Sequence, residues 1–85
     1  MGKYNRGMLT AARVDVLLAT LNATDVGSLE SIAEKLAHVE GELREMDHLE
    51  LAERAAATLV ALRRGDVTEF KRGRAFLQSK IGHLR

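Results

Sequence analysis

The chain has no cysteine, no proline and no tryptophan, and these absences exclude several kinds of site. Without cysteine there is no disulfide, no thiolate zinc site and no cysteine nucleophile. The only rings besides histidine belong to Tyr4, Phe70 and Phe76, so leucine, alanine and valine must build the core. No apolar run approaches the ~20 residues of a membrane-spanning helix, and the first residues lack the layout of a signal peptide. We therefore expect a cytoplasmic protein with no membrane partner.

The chain is short enough to form one domain with a marginal core. It has 85 residues, and a chain of this size buries only about 60% of its unfolded surface. Residues 1–8 contain two glycines and no apolar periodicity, which predicts a flexible N-terminal tail. Residues 9–85 are predicted to form a single helical domain.

Charge is sorted along the sequence. Residues 28–53 contain eight acids and two bases, whereas residues 54–85 contain eight bases and two acids. The formal net charge of +1 therefore hides an acidic middle and a basic end. Such asymmetry indicates either a polyanionic partner for the basic end or self-pairing between the two segments.

Apolar spacing predicts helices in the first two thirds of the chain. A first helix is expected over about 10–22, and a second, capped by Ser28, follows a turn at 22–27. Their apolar positions recur every three or four residues: Val14, Leu17, Leu18 and Leu21, then Leu29, Ile32, Leu36, Val39, Leu43 and Met46. Gly41 and the start signal from Asp47 to Glu50 interrupt the second stripe. Residues 28–56 are therefore either one kinked helix or two helices.

Residues 58–72 are consistent with two structures. Gly65, followed by Asp66 with Glu69 three residues later, predicts a helix end and a new capping box. This alternative gives an all-α bundle of three or four helices. The alternating residues of 58–63 and the strand formers of 67–72 predict instead a β-hairpin turning at 64–66, followed by a helix over about 75–83. The fold class is mainly α on either alternative.

Part of the sequence also resembles a known protein family. Residues 28–37, followed by Val39, Leu43, Met46, Leu49 and Glu50, resemble the helix-turn-helix core of small winged-helix regulators. The resemblance covers about residues 13–74, with the turn near residues 38 and 39 and the β-hairpin wing over about 62–74. It implies a DNA-binding regulator of transcription. The helix in the recognition position is acidic, so the resemblance implies that DNA contacts lie mainly in the wing.

The basic C-terminal third contains the candidate nucleic-acid site. Five bases lie within twelve residues, and they would neutralise several phosphates if they converged on one surface. The candidates are Arg63, Arg64, Lys71, Arg72 and Arg74, with Lys80 as a secondary one. The alternative is a solvated basic face paired with the acidic helix, or with a partner's copy of that helix.

The second helix offers candidate protein interfaces. Its apolar stripe would be completed by a partner helix through Leu29, Ile32, Leu36, Leu43 and Met46. The chain also carries an acidic stripe, which either contacts a basic partner or forms a solvated helix face. The stripe consists of Glu34, Glu42, Glu45, Glu50 and Glu53.

The sequence contains no recognisable catalytic set. His38, His48 and His83 are scattered, and no nucleophile, base and orienting group recur at a useful spacing. The glycines form no phosphate-cradling loop, and the chain is too small to enclose a large substrate pocket. We expect a protein that is not an enzyme and has no metal, no cofactor and no small-molecule substrate.

Two functional hypotheses follow from the sequence. The first is a small regulatory protein that binds nucleic acid as a dimer through its basic C-terminal third. The second is a helical protein-interaction module, such as an adaptor, chaperone or inhibitor, that uses an apolar helix face and segregated charge.

Overall fold

The structure, a computed structural model, describes the backbone of residues 2–84 and the side chains of residues 11–84. Its elements are α1 (Gly2–Asn22), a 3-10 turn (Ala23–Asp25), α2 (Leu29–Glu45), α3 (Leu49–Arg64) and α4 (Val67–Gly82). Each helix contacts the next, and α4 also contacts α1. Neither diagonal pair of helices is in contact over the described residues. Because the connections are short, neighbouring helices run antiparallel and form a four-helix bundle.

Two helix starts carry the side-chain caps that the sequence predicts. The Oγ of Ser28 accepts a hydrogen bond from the Ser31 backbone N–H at 3.1 Å before α2. A carboxylate oxygen of Asp66 accepts one from the Glu69 backbone N–H at 3.1 Å before α4. Each cap satisfies a backbone donor that the first turn of a helix leaves without a partner.

Two tight turns separate the last three helices. After α2, the backbone N–H of His48 donates to the carbonyl of Leu43 at 2.9 Å. After α3, the N–H of Asp66 donates to the carbonyl of Ala61 at 2.9 Å. This pattern is the Schellman motif, which needs a residue in the left-handed region just after the helix. Gly65 supplies it with φ +78°, and Asp47 supplies it with φ +67°.

The core lies along the centre of the bundle and is almost entirely aliphatic. Every helix contributes fully buried side chains: Val14, Leu17 and Leu21 from α1, Leu36, Val39 and Leu43 from α2, Ala52 and Ala55 from α3, and Leu77 and Ile81 from α4. These positions include most of the predicted stripes of the first two helices. The apolar periodicity therefore identified the buried faces of α1 and α2.

Helices α3 and α4 approach closely where Gly73 faces Thr58. A methyl group added at Gly73 would overlap Oγ1 of Thr58 and lie 3.1 Å from its Cβ. The same hydroxyl donates a hydrogen bond to the Arg54 carbonyl at 2.8 Å, which holds the side chain in place. Glycine at position 73 thus allows the two backbones to pack at this distance.

The structure confirms the mainly α class and the bundle alternative, and the β-hairpin wing is wrong. Residues 58–64 belong to α3, and residues 67–72 belong to α4. Residues 28–56 form two helices, and the break at 46–48 lies at the predicted start signal of 47–50. The predicted turn near residues 38 and 39 is wrong, because α2 is continuous through them. Helix α1 begins at Gly2 rather than near residue 10. The division into a tail at 1–8 and a domain at 9–85 stays a prediction.

Within the part of the chain that the structure describes, no helix combines the length and the apolar character that crossing a bilayer requires.

Candidate functional site

The six predicted nucleic-acid-binding residues do not share one face. Arg63 and Arg64 lie in the last turn of α3, and the other four, Lys71, Arg72, Arg74 and Lys80, lie on α4. At 3.6 residues per turn, Lys71 and Lys80 point about 180° apart around the α4 axis. Arg72 lies about 100° from Lys71 on the same axis. The positive charge is therefore spread around the helix instead of converging.

Four of these six bases form ion pairs within the chain. The pairs are Arg63 with Glu30 at 3.8 Å, Arg64 with Asp66 at 3.4 Å, Arg72 with Glu69 at 2.8 Å, and Arg74 with Asp25. Two of the acids come from outside the C-terminal third, because α2 and the 3-10 turn lie beside α3 and α4. The fold thus brings acids from distant parts of the sequence to the basic segment.

The predicted partner-interface residues on α2 lie mostly inside the bundle. Leu36 and Leu43 are fully buried in the core. Ile32 and Met46 are partly buried and pack against it. Leu29 has 47% of its surface exposed. Most of the apolar face of α2 is therefore covered by the chain's own helices.

A wide concave surface of the described residues is a groove between α3 and α4, which we call the α3–α4 groove. It has a volume of about 970 Å³ and is open to solvent. Its lining comes from the turn before α3, the first half of α3 and the second half of α4: Asp47, His48, Leu49, Glu50, Leu51, Glu53, Arg54, Ala57, Phe76, Lys80, His83 and Leu84. Leu51, Phe76 and Leu84 are half-buried, and Leu49 is 52% exposed. The groove therefore presents apolar surface to solvent.

Two cations lie against the phenyl ring of Phe76 in the α3–α4 groove. The guanidinium carbon of Arg54 lies 4.3 Å from the ring centroid, and Nζ of Lys80 lies 5.7 Å from it. Both distances allow cation–π attraction to the ring. Neither base forms an ion pair with a described acid. The aliphatic stems of the two side chains extend the apolar surface around Phe76.

The acids of the α3–α4 groove have no cationic partner among the described side chains. Asp47, Glu50 and Glu53 form no ion pair there, although most described acids elsewhere do. The paired acids are Asp25, Glu30, Glu40, Glu42, Glu45, Asp66 and Glu69. The groove thus combines an apolar floor with three acids that form no described ion pair, and these outnumber its two bases, Arg54 and Lys80, by one.

The acidic stripe predicted from the sequence is split by the fold. Glu42 and Glu45 face α1, where Nη2 of Arg13 lies 2.7 Å and 3.3 Å from their carboxylates. The hydrogen bond to Glu42 raises the pKa of Arg13 above its usual value. Glu50 and Glu53 instead line the α3–α4 groove. The two halves of the stripe therefore have different surroundings.

The histidines do not come together. His48 and His83 line the α3–α4 groove, whereas His38 lies on α2 at a shallower groove beside α1. Over residues 11–84, no group of three or more His, Cys, Asp or Glu side chains is arranged to hold a metal ion.

The α3–α4 groove is the feature that sequence reasoning missed. Phe76 is half-buried on α4, and two cations lie against its ring. Leu49 and Val60 are more than half exposed, so α3 has apolar positions on its outer side as well. These apolar residues on a second face of α3 are the feature of the sequence that could have indicated the groove.

Comparison with known proteins gives no match: no family model, curated protein or solved structure resembles this chain at a significant level.

Proposed function

We propose that this chain is a non-enzymatic protein-interaction module of the cytoplasm that binds a helix of a protein partner in the α3–α4 groove. The observation that carries the proposal is the apolar floor of this groove beside acids that have no described partner. Concave apolar surface rimmed by polar groups is typical of interaction sites. A helix-in-groove complex uses such a surface, with apolar anchors at helical spacing.

The dimensions of the groove suit a short helical segment. From Leu49 to Ala57, α3 rises about 12 Å, which corresponds to roughly two helical turns of a partner. Phe76 offers a ring for an apolar anchor, and the acids Glu50 and Glu53 lie on the opposite wall. An interface of this size belongs to the smaller, transient class of complexes. We therefore expect reversible binding rather than a permanent complex.

The arrangement of bases supports a protein partner over nucleic acid. Affinity for a duplex depends on cations that reach several phosphates together and release counterions. Here the candidate bases point in different directions, and four of six already pair with acids of the same chain. The winged-helix regulator remains the competing hypothesis, and it loses the hairpin that would have contacted DNA.

In-cell photocrosslinking tests the proposed function. A photoreactive amino acid is placed at Ala57, which lines the α3–α4 groove and is exposed. The matched control is the same residue at Ala37, an exposed alanine of α2 outside that groove. We expect a discrete protein adduct from position 57 and none from position 37. Equal labelling from both positions, or no adduct from position 57, contradicts the proposal.

A titration with a generic DNA duplex at several salt concentrations tests the competing hypothesis. We expect no salt-sensitive binding: the affinity for the duplex should not fall systematically as the salt concentration rises. If binding does fall steeply with salt, Arg72→Ala should weaken it and flatten the salt slope. That result would favour the nucleic-acid regulator and overturn the protein-interaction proposal.

A further inference from the structure

We propose that the occupant of the α3–α4 groove is a second copy of this chain, which inserts its N-terminal segment, residues 2–10. In this arrangement Lys3 and Arg6 of one copy approach Glu50 and Glu53 of the other. The inference rests on the proposed function, because it names the partner of the same groove.

The N-terminal segment and the α3–α4 groove are complementary in charge and in apolar character. By sequence, the chain has no acid before Asp15, and residues 2–10 contain the bases Lys3 and Arg6. The same segment contains the apolar residues Tyr4, Met8 and Leu9. The α3–α4 groove offers an apolar floor and a small excess of the opposite charge, because Asp47, Glu50 and Glu53 outnumber Arg54 and Lys80. A basic, apolar helix is the kind of ligand that such a surface recognises.

The N-terminal segment and the α3–α4 groove lie at the same end of the bundle. Arg13 of α1 reaches Glu42 at 2.7 Å and Glu45 at 3.3 Å, near the end of α2. The turn at 46–48 and the first residues of α3 follow directly, and they carry the acids of the groove. From Arg13, helix α1 continues for eleven more residues to Gly2, a rise of about 16 Å.

The direction of α1 favours a contact between two copies over a contact within one chain. Helix α1 packs beside α2 and α4 and makes no contact with α3 over the described residues. A helix that continues in its own direction from Arg13 cannot turn back onto the outer side of α3. A second copy related by a two-fold axis can receive the segment in its groove and donate its own in return. Such an exchange is a closed, symmetric interface.

A charge-reversal experiment on the full chain tests this inference. The mass of the unmodified chain is measured by sedimentation equilibrium from roughly 10 to roughly 500 µM, a range that reports micromolar dissociation constants. We expect a monomer–dimer equilibrium that weakens as salt is added. The variant with Glu50→Lys and Glu53→Lys should raise the dissociation constant by at least about tenfold, because each lysine meets a base of the partner.

Rescue provides the specific readout. The variant with Lys3→Glu and Arg6→Glu should lose association to the same extent. Combining all four substitutions restores opposite charges across the interface, and the dissociation constant should return to within about threefold of the unmodified value. Circular dichroism of each variant confirms that the bundle is folded before its mass is interpreted.

A matched control places the same charge change elsewhere. Glu30→Lys with Glu34→Lys adds the same charge at the start of α2, outside the α3–α4 groove. This variant should associate like the unmodified chain. A dimer that tolerates Glu50→Lys with Glu53→Lys, or fails to be rescued, overturns the inference.

Failure of this inference is distinguishable from failure of the proposed function. A chain that stays monomeric over the whole range overturns the second-copy occupant. If crosslinking from Ala57 then yields a different protein, the interaction module stands with another partner. If crosslinking from Ala57 yields no adduct, both proposals fail. An adduct of twice the chain mass, together with rescue by the four-residue variant, supports both.

Discussion

Replacing Gly73 by alanine tests the packing of α3 against α4 most directly. The added methyl group would overlap Oγ1 of Thr58 and lie 3.1 Å from its Cβ and 3.2 Å from its Cγ2. The hydroxyl is held by its hydrogen bond to the Arg54 carbonyl at 2.8 Å, so the side chain cannot rotate away without losing that bond. Either the threonine or the whole helix must move.

The expected magnitude follows from two opposing effects. Overpacking a well-filled interior costs about 1–3 kcal/mol, and the direct overlap here places the cost near the upper end. Alanine is preferred over glycine within a helix by about 1 kcal/mol, which offsets part of that cost. The free energy of unfolding should therefore fall by about 2 kcal/mol. For a domain of this size this corresponds to a drop in Tm of about 8–16 °C.

Urea denaturation followed by circular dichroism measures this change, and two further variants isolate its cause. Gly41→Ala makes the same substitution within α2, where no atom lies within 4 Å of the new methyl group apart from the adjoining residues and the helix's own backbone. It should raise the free energy of unfolding by about 1 kcal/mol. In a Thr58→Ala background the overlapping oxygen is gone, so Gly73→Ala should cost at least about 1 kcal/mol less than in the original chain.

Two results would refute this reasoning. Gly73→Ala could stabilise the chain as much as Gly41→Ala, which would mean that α3 and α4 are farther apart than described. Its cost could also be unchanged in the Thr58→Ala background, which would mean that the threonine is not the obstacle.

The remaining predictions concern the turns, the core and the helix content. Asp47 adopts φ +67° at the end of α2, so Asp47→Gly should stabilise the chain by about 0.5–1 kcal/mol, whereas Gly65→Ala should destabilise it by a similar amount. Thermal denaturation checks both, and a loss of stability in Asp47→Gly would contradict the assigned turn. Leu36 is fully buried and Leu29 is 47% exposed, so Leu36→Ala should cost about 2–5 kcal/mol and Leu29→Ala less than about 1. Similar losses in urea denaturation would show that α2 is packed differently. Far-ultraviolet circular dichroism should show a predominantly helical spectrum, and a clear strand component would restore the hairpin.

The helical parts of the fold were predictable where apolar spacing and caps agreed. Val14, Leu17 and Leu21 share a helical face by spacing alone, and the structure buries all three. Ser28 and Asp66 were recognisable as caps, because their side chains precede a helical pattern by one residue. Local chemistry sets both features, so a single sequence is sufficient to detect them.

The hairpin was wrong because the residues involved satisfy two periods at once. Thr58, Val60 and Leu62 alternate as in a strand, yet Thr58 is buried and Val60 is 54% exposed on a helix. Gly65 suits a hairpin turn as well as a Schellman motif. Packing against α2 and α4 decides between the two, and that packing involves residues far away in the sequence.

The α3–α4 groove was not predictable for a related reason. Its character depends on which acids find partners, and most of those pairs join distant residues. Arg63 pairs with Glu30 and Arg74 with Asp25 only because the bundle brings α3 and α4 beside the first half of the chain. Summing charge along the sequence marked the C-terminal third as basic, whereas the fold leaves Glu50 and Glu53 as acids without a described partner.

The short connections of this bundle have a consequence for how quickly it forms. Three residues join α2 to α3, and two residues join α3 to α4. Closing such short loops costs little conformational entropy, and most contacts then join residues that are close in sequence. Helical proteins with local contacts fold in microseconds to milliseconds. We expect α2, α3 and α4 to assemble first on this timescale, and α1, which a longer connection joins to α2, to dock last.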